Sequence, residues 1–162
     1  MLKNDELTDK IMRVTGRFPV ACDCNHCRMQ CMTPCLGTPQ DIWRLIENGY
    51  EDRLRLTLWY VGVLAGRISF PILMVQAHQT RQGCVFWKDG LCELHNTGLK
   101  PTEGRLSHHV ITEENFCFEK SLSWNVAREW INIENILLIK KIVTRITSVS
   151  YTHLTLPTNR EV

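Results

Sequence analysis

Five cysteines fall within fourteen residues, in the run Cys22-Asp-Cys24-Asn-His-Cys27-Arg-Met-Gln-Cys31-Met-Thr-Pro-Cys35. Cys24 and Cys27 form a C-x2-C pair, a spacing that lets two thiolates converge on one ion from a single turn of chain. Cys31 and Cys35 follow, each after three intervening residues, so the cluster holds more thiols than one tetrahedral zinc needs. Two more, Cys84 and Cys92, flank Lys88-Asp89-Gly90, a turn signal between two apolar runs. A cysteine pair on such a hairpin can close a zinc site opened by a distant C-x2-C. Thiolates equally suit iron–sulfur clusters. The ferredoxin run C-x2-C-x2-C-x3-C-P is not reproduced, because Pro34 precedes Cys35 instead of following it. The expected ligands are therefore Cys24, Cys27, Cys31, Cys35, Cys84 and Cys92, with Cys22, His26, His95, His108 and His109 as further donors. The expected cofactor is zinc or iron, an iron–sulfur cluster included. A lone histidine is more often a surface or hydrogen-bonded residue than a ligand. His108 and His109 are adjacent, so on extended chain they face opposite ways and at most one would ligate. Cys117, between Phe116 and Phe118, reads as apolar packing, and Asp23 as a residue that could orient a ligand.

The rest of the chain must position these thiols. Its 162 residues suit one domain with its own core, and 44% hydrophobic and 22% charged residues are ordinary for a globular protein. The opening MLKNDELTDK has no apolar stretch for an export signal. A reducing, cytoplasmic setting follows as the expectation, and there clustered cysteines are metal ligands or redox groups before they are disulfides. No run approaches the roughly 18 apolar residues of a membrane helix. Net charge is +2 and the basic residues are scattered, so no nucleic-acid-binding face is expected; a protein partner is left open. No glycine-rich nucleotide loop, Ser–His–Asp order or paired acidic motif stands out, so no catalytic residue is assigned. Three functions fit: a metal-binding protein, an iron–sulfur redox or methyl-transfer enzyme, and a zinc-stabilised protein- or nucleic-acid-binding module.

Thr38-Pro39-Gln40-Asp41 predicts a helix start with Thr38 as cap, Ile42, Leu45 and Ile46 on one face, and Asn48-Gly49 as its end. A short helix is expected within residues 1–20, and irregular chain over 22–35. Residues from Glu51 read as either a helical turn or a strand, and Ile68 to Ala77 as a strand. Gly83 to His95 reads as one hairpin carrying Cys84 and Cys92 on neighbouring strands, and 96–120 as loop. A last helix from Ser121 or Ser123 would align Val126, Trp130, Ile133, Leu137 and the stem of Lys140 in one stripe. Trp59, Trp87, Trp124 and Trp130 read as core. The expected fold is α+β: a small metal-stapled domain with a short β-hairpin or sheet, a cysteine-rich loop and two or three helices.

With Cys24, Cys27 and Cys31, Thr38-Pro-Gln-Asp41, Cys84-Val-Phe-Trp…Gly90-Leu-Cys92-Glu-Leu-His95 and Leu99-Lys-Pro101 in place, residues 22 to 110 resemble the cysteine-cluster family known as CxxCxxCC or YkgJ-like. That resemblance implies zinc or iron chelation. Two features depart from the family pattern: Met32 follows Cys31 where a second cysteine would stand, and the cysteine after the late proline is replaced in Lys100-Pro-Thr-Glu-Gly104-Arg105. Cys35, His108 or His109 could supply the displaced ligand. Finally, the string Ser148-Val-Ser-Tyr-Thr-His-Leu154 resembles a translated sequencing adapter. The expected division is a domain over 1–147, cut short at its C-terminus, and a non-native tail over 148–162.

Overall fold

The computed structural model describes residues 4–22, 24–108 and 116–154. The class is α+β, with more helices than expected: seven α-helical segments among the described residues, several of only one or two turns. They are α1 (Asn4–Thr15), α2 (Asn25–Gln30), α3 (Pro39–Glu47), α4 (Val61–Leu64), α5 (Thr102–Leu106), α6 (Leu122–Ala127) and α7 (Ile136–Leu154). The strands form three separate two-stranded antiparallel ladders: β1 (Leu54–Trp59) with β2 (Ile72–Ala77), β3 (Gln79–Thr80) with β4 (Gly83–Cys84), and β5 (Trp87–Lys88) with β6 (Leu91–Cys92). No described helix is long and apolar enough to cross a membrane.

α3 forms where the sequence places it. Thr38 Oγ1 accepts from Asp41 N at 3.2 Å, and Asp41 Oδ2 accepts from Thr38 N at 3.0 Å, completing a reciprocal capping box. Ile42, Leu45 and Ile46 are buried, and Gly49 ends the helix at φ +81°, a conformation only glycine adopts without strain. Beyond it, the two readings of residues 51–59 are both realised in succession: a 3₁₀ turn over Glu51–Arg53, then β1. β1 pairs with β2 from Leu54↔Ala77 to Trp59↔Ile72.

The main core lies between this ladder, α3 and α7. Leu54, Met74, Val75, Leu45, Ile42 and Ile142 are fully enclosed, with Phe86 and Leu94 closing one end. Trp59 stacks on Trp124 at 6.1 Å between centroids, and Trp130 is 4% exposed, so these tryptophans serve the core as expected. A smaller core joins α1, α5 and α6 through Leu7, Ile11, Leu106, Leu122 and Val126.

Four expectations change. Residues 96–120 are not all loop, because α5 spans Thr102–Leu106 and a 3₁₀ turn covers Phe118–Lys120. Residues 22–35 are not wholly irregular, because α2 occupies their middle. The stretch from Ser121 is not one helix: α6 passes into a 3₁₀ turn at Arg128–Trp130, and the Asn132 side chain accepts from Glu134 N at 3.1 Å to start another at Ile133–Asn135. That break resets the helical phase. Ile133 and Leu137 are 78% and 80% exposed, while Leu138, Ile142 and Ile146 supply the buried face of α7. Lastly, Gly83 to His95 is not one hairpin. Asp89 (φ +50°) and Gly90 (φ +79°) make the turn read from the sequence, but it joins only β5 to β6, pairing Trp87 with Cys92. Cys84 instead pairs with Gln79 in the preceding ladder. Phe86, 2% exposed, separates the two ladders by dropping into the core.

Candidate metal centre

α2 organises the first group of donors. Cys24 stands at its N-cap with extended backbone (φ −61°, ψ 161°), which lets Cys22 fold back beside Cys27 on the first turn. His108 arrives just beyond α5. One ligand atom each from Cys22, Cys27 and His108 lies within 4.8 Å of the other two. Zn–S bonds of ~2.3 Å set tetrahedral ligand atoms about 3.5–3.8 Å apart, so closing the three donors on one ion needs a contraction of no more than ~1.3 Å. The Cys24 thiol lies beside Cys22 and Cys27 but is not one of the three converging donors. Its thiol pKa is lowered, first by the backbone N–H of Cys27; that contact is too loose to cap the helix. A thiol of this kind gives up its proton to a metal readily. These residues could hold a metal ion.

The other thiols lie deeper in the same cleft of about 650 Å³, whose lining includes Cys27, Cys31, Cys35, Cys84 and Cys92. Four connections assemble this floor. Cys31 caps the C-terminus of α2. The chain leaving it is stitched to β4 by Cys84 N donating to Met32 O at 2.7 Å. Cys92 is set by the β5–β6 register. The segment carrying Cys35 is held at Gly37, whose N–H donates to Gln76 Oε1 at 2.7 Å and whose carbonyl accepts from Gln76 Nε2 (3.0 Å) and Trp130 Nε1 (2.8 Å).

The Cys31 thiol donates to Cys27 O at 3.7 Å, which ties it back to the first group of donors. The neighbouring Cys92 sulfur, aided by the Lys100 ammonium, draws the Cys31 pKa down to about 6, while the Cys31 sulfur and burial push Cys92 up. Burial raises Cys84, and burial followed by the Glu103 charge raises Cys35. The Cys35 sulfur is packed against Gly104, where an added Cβ would meet it at 2.7 Å. Glu103 is itself shifted up by burial while accepting from Leu36 N at 2.6 Å.

Among the sequence-derived donors, Cys22, Cys27 and His108 come together, with Cys24 beside the first two. Cys31, Cys35, Cys84 and Cys92 share the cleft but contribute to no grouping of three ligand atoms within 4.8 Å among the described residues. His95 lines the cleft. His26 is exposed on α2. His109 and Asp23 lie outside the described residues. Cys117 is partly exposed and bonds Glu119 Oε2 at 3.4 Å, so it is not the buried packing residue expected. The sequence reading missed Lys100 as the partner of the Cys31 sulfur. Nothing in its spacing marks it, since only the return of the chain at Pro101 brings it there. The chain matches no protein-family model, no curated protein and no solved structure.

Proposed function

We propose that the chain is a zinc-binding protein whose ion sits at the cleft mouth, held by Cys22, Cys24, Cys27 and His108. The convergence of a ligand atom from each of Cys22, Cys27 and His108 within 4.8 Å carries this reading. Three thiolates and one imidazole form a set used by structural zinc sites. The mixed set favours zinc over an iron–sulfur cluster, for which four thiolates are the commoner complement. The cysteine spacing, the capped α3 and the Asp-Gly hairpin support placing the chain as a divergent relative of the CxxCxxCC cysteine-cluster family. On that reading the double cysteine is lost and His108 supplies a ligand.

Cobalt titration of the reduced full-length chain tests the centre. The expected result is one equivalent of tetrahedral cobalt with strong thiolate-to-metal absorption, displaced by zinc. His108→Ala should keep the thiolate bands but weaken affinity, and Cys27→Ala should diminish the bands themselves. Failure of the reduced protein to take up cobalt or zinc near stoichiometrically would end the reading.

A further inference from the structure

We infer that β1 is the joining edge of a homodimer, in which two copies pair their β1 strands antiparallel about Thr57 and merge two ladders into one four-stranded sheet. None of the proposed zinc ligands lies on this edge. Among the described residues the ladder holds only β1 and β2, so β1 has an open side. Along β1 the successive residues Arg55, Leu56, Thr57 and Leu58 are all exposed, whereas Gln76, Val75 and Met74, opposite the first three on β2, are buried. Leu56 and Leu58 are 40% and 44% exposed, and they share a face with Leu73, which is 50% exposed and stands opposite Leu58.

One bond fixes which backbone groups face outward. His78 N donates to Arg53 O at 3.0 Å, so these directly opposed residues are a hydrogen-bonded pair. Alternation along the register then turns the backbone groups of Arg55, Thr57 and Trp59 toward β2, and those of Leu54, Leu56 and Leu58 away from it. Arg55 Nη1 folds back onto Leu54 O and Asp52 O, each at 2.7 Å, and closes the start of the edge. Leu56 and Leu58 keep outward N–H and C=O groups that meet no other backbone among the described residues. Open edges are normally blunted by proline, lysine or a bulge. The strand Leu-Arg-Leu-Thr-Leu-Trp has none of these, its register is unbroken, and its one charge is turned back on the chain.

The occupant is a second copy because the edge is its own complement. A two-fold axis beside Thr57 sets Leu56 against Leu58 of the second copy and Leu58 against its Leu56, and each pair can exchange both of its backbone bonds. Thr57 then meets Thr57, and Arg55 meets Trp59 instead of another arginine, so no like charges stand opposite one another. Leu56, Leu58 and Leu73 of both copies join in one apolar strip. With Tyr60 and Phe70 (50% and 79% exposed) and the exposed Arg55 and Thr57, the open surface around the edge is roughly 600 Å² per copy, the lower end of what a stable interface uses. A dimer of that size forms and parts as concentration changes.

Sedimentation velocity of the full-length chain, from low micromolar to near-millimolar concentration, tests association, and amide hydrogen exchange on the same samples locates it. A monomer should give way to a dimer and to nothing larger. In the dimer the amides of Leu56 and Leu58 should exchange about tenfold more slowly than in the monomer, or slower still, while that of Thr57, already bonded to β2, changes less. Leu58→Pro removes an outward N–H, which an edge strand tolerates, and should stay monomeric with an unchanged far-UV spectrum. Leu56→Lys should also stay monomeric, because it sets a charge within the apolar strip. A chain that is monomeric at every concentration leaves the edge to a strand of some other protein and overturns the inference. So does a dimer whose Leu56 and Leu58 amides exchange as fast as the monomer's, or growth beyond the dimer into an open array. These three results need no variant to fold, and none of them bears on the zinc reading.

Discussion

At the scale of single residues, the thiols differ because their surroundings differ. Cys31 has a sulfur donor and an ammonium beside it, whereas Cys35 and Cys84 have mainly desolvation, and their pKa values move in opposite directions accordingly. The sign for stability follows. Cys31 titrates near 9.0 when unfolded and near 6 when folded. Its contribution is therefore fully present above pH 9 and is lost as pH falls toward 6. In metal-free protein, iodoacetamide labelling of Cys31, read by peptide mass, should rise with an inflection near pH 6, and Cys92→Ala should move that inflection upward. An inflection near 9 in the unmodified chain would contradict the assigned thiolate. Gly104 makes the complementary steric case. Gly104→Ala forces a Cβ to 2.7 Å from the Cys35 sulfur, an overpacking expected to cost about 1–3 kcal/mol. Chemical denaturation should show that loss, and Cys35→Ala in the same chain should recover most of it. A loss of equal size in the double variant would place the strain elsewhere.

At the scale of elements, Asp41 does more than cap α3. Its carboxylate also accepts from Thr102 N at 2.9 Å, at the start of α5, and from Arg105 Nη2 at 3.3 Å. It therefore ties the element behind the cysteine cluster to the one that leads to His108. Asp41→Ala should lower unfolding stability by about 2–4 kcal/mol, more than a cap alone provides, because the Thr102 N–H is left buried without its partner. A urea midpoint consistent with a loss of only ~1 kcal/mol would reduce Asp41 to a helix cap. This residue also shows what the sequence disclosed. The capping box was legible because Thr38 and Asp41 are three positions apart and obey a local rule. The contact with Thr102 was not, because it depends on where the chain returns. The Asp89-Gly90 turn was legible for the same local reason. The parting of Cys84 from Cys92 was not, since it follows from Phe86 finding the core. The broken last helix misled because Val126, Trp130, Ile133 and Leu137 keep helical spacing while Asn132 interrupts the backbone that would align them.

At the scale of the whole molecule, the donors of the proposed zinc centre come from the two sides of the main core. Cys22, Cys24 and Cys27 precede α3, and His108 follows the hairpins, so an ion would cross-link chain segments that the β1–β2 ladder does not itself join. The ladder, α3 and α7 have their own enclosed side chains and their own capping and hydrogen bonds, and a core of that kind needs no metal to persist. α2, by contrast, is six residues long and has no buried residue, and a helix that short is not stable alone. Removing the ion should therefore act unevenly. An ion at a thousandfold its dissociation constant stabilises the state that binds it by about 4 kcal/mol, and here that state is the arrangement of residues 24–31 against 102–108. Hydrogen exchange on zinc-loaded and chelated full-length protein should show protection falling in those two segments, with Leu54–Trp59 and Ile72–Ala77 little changed. Uniform loss across the ladder would mean that the ion supports the entire fold, and unchanged exchange at residues 24–31 would mean that it binds elsewhere.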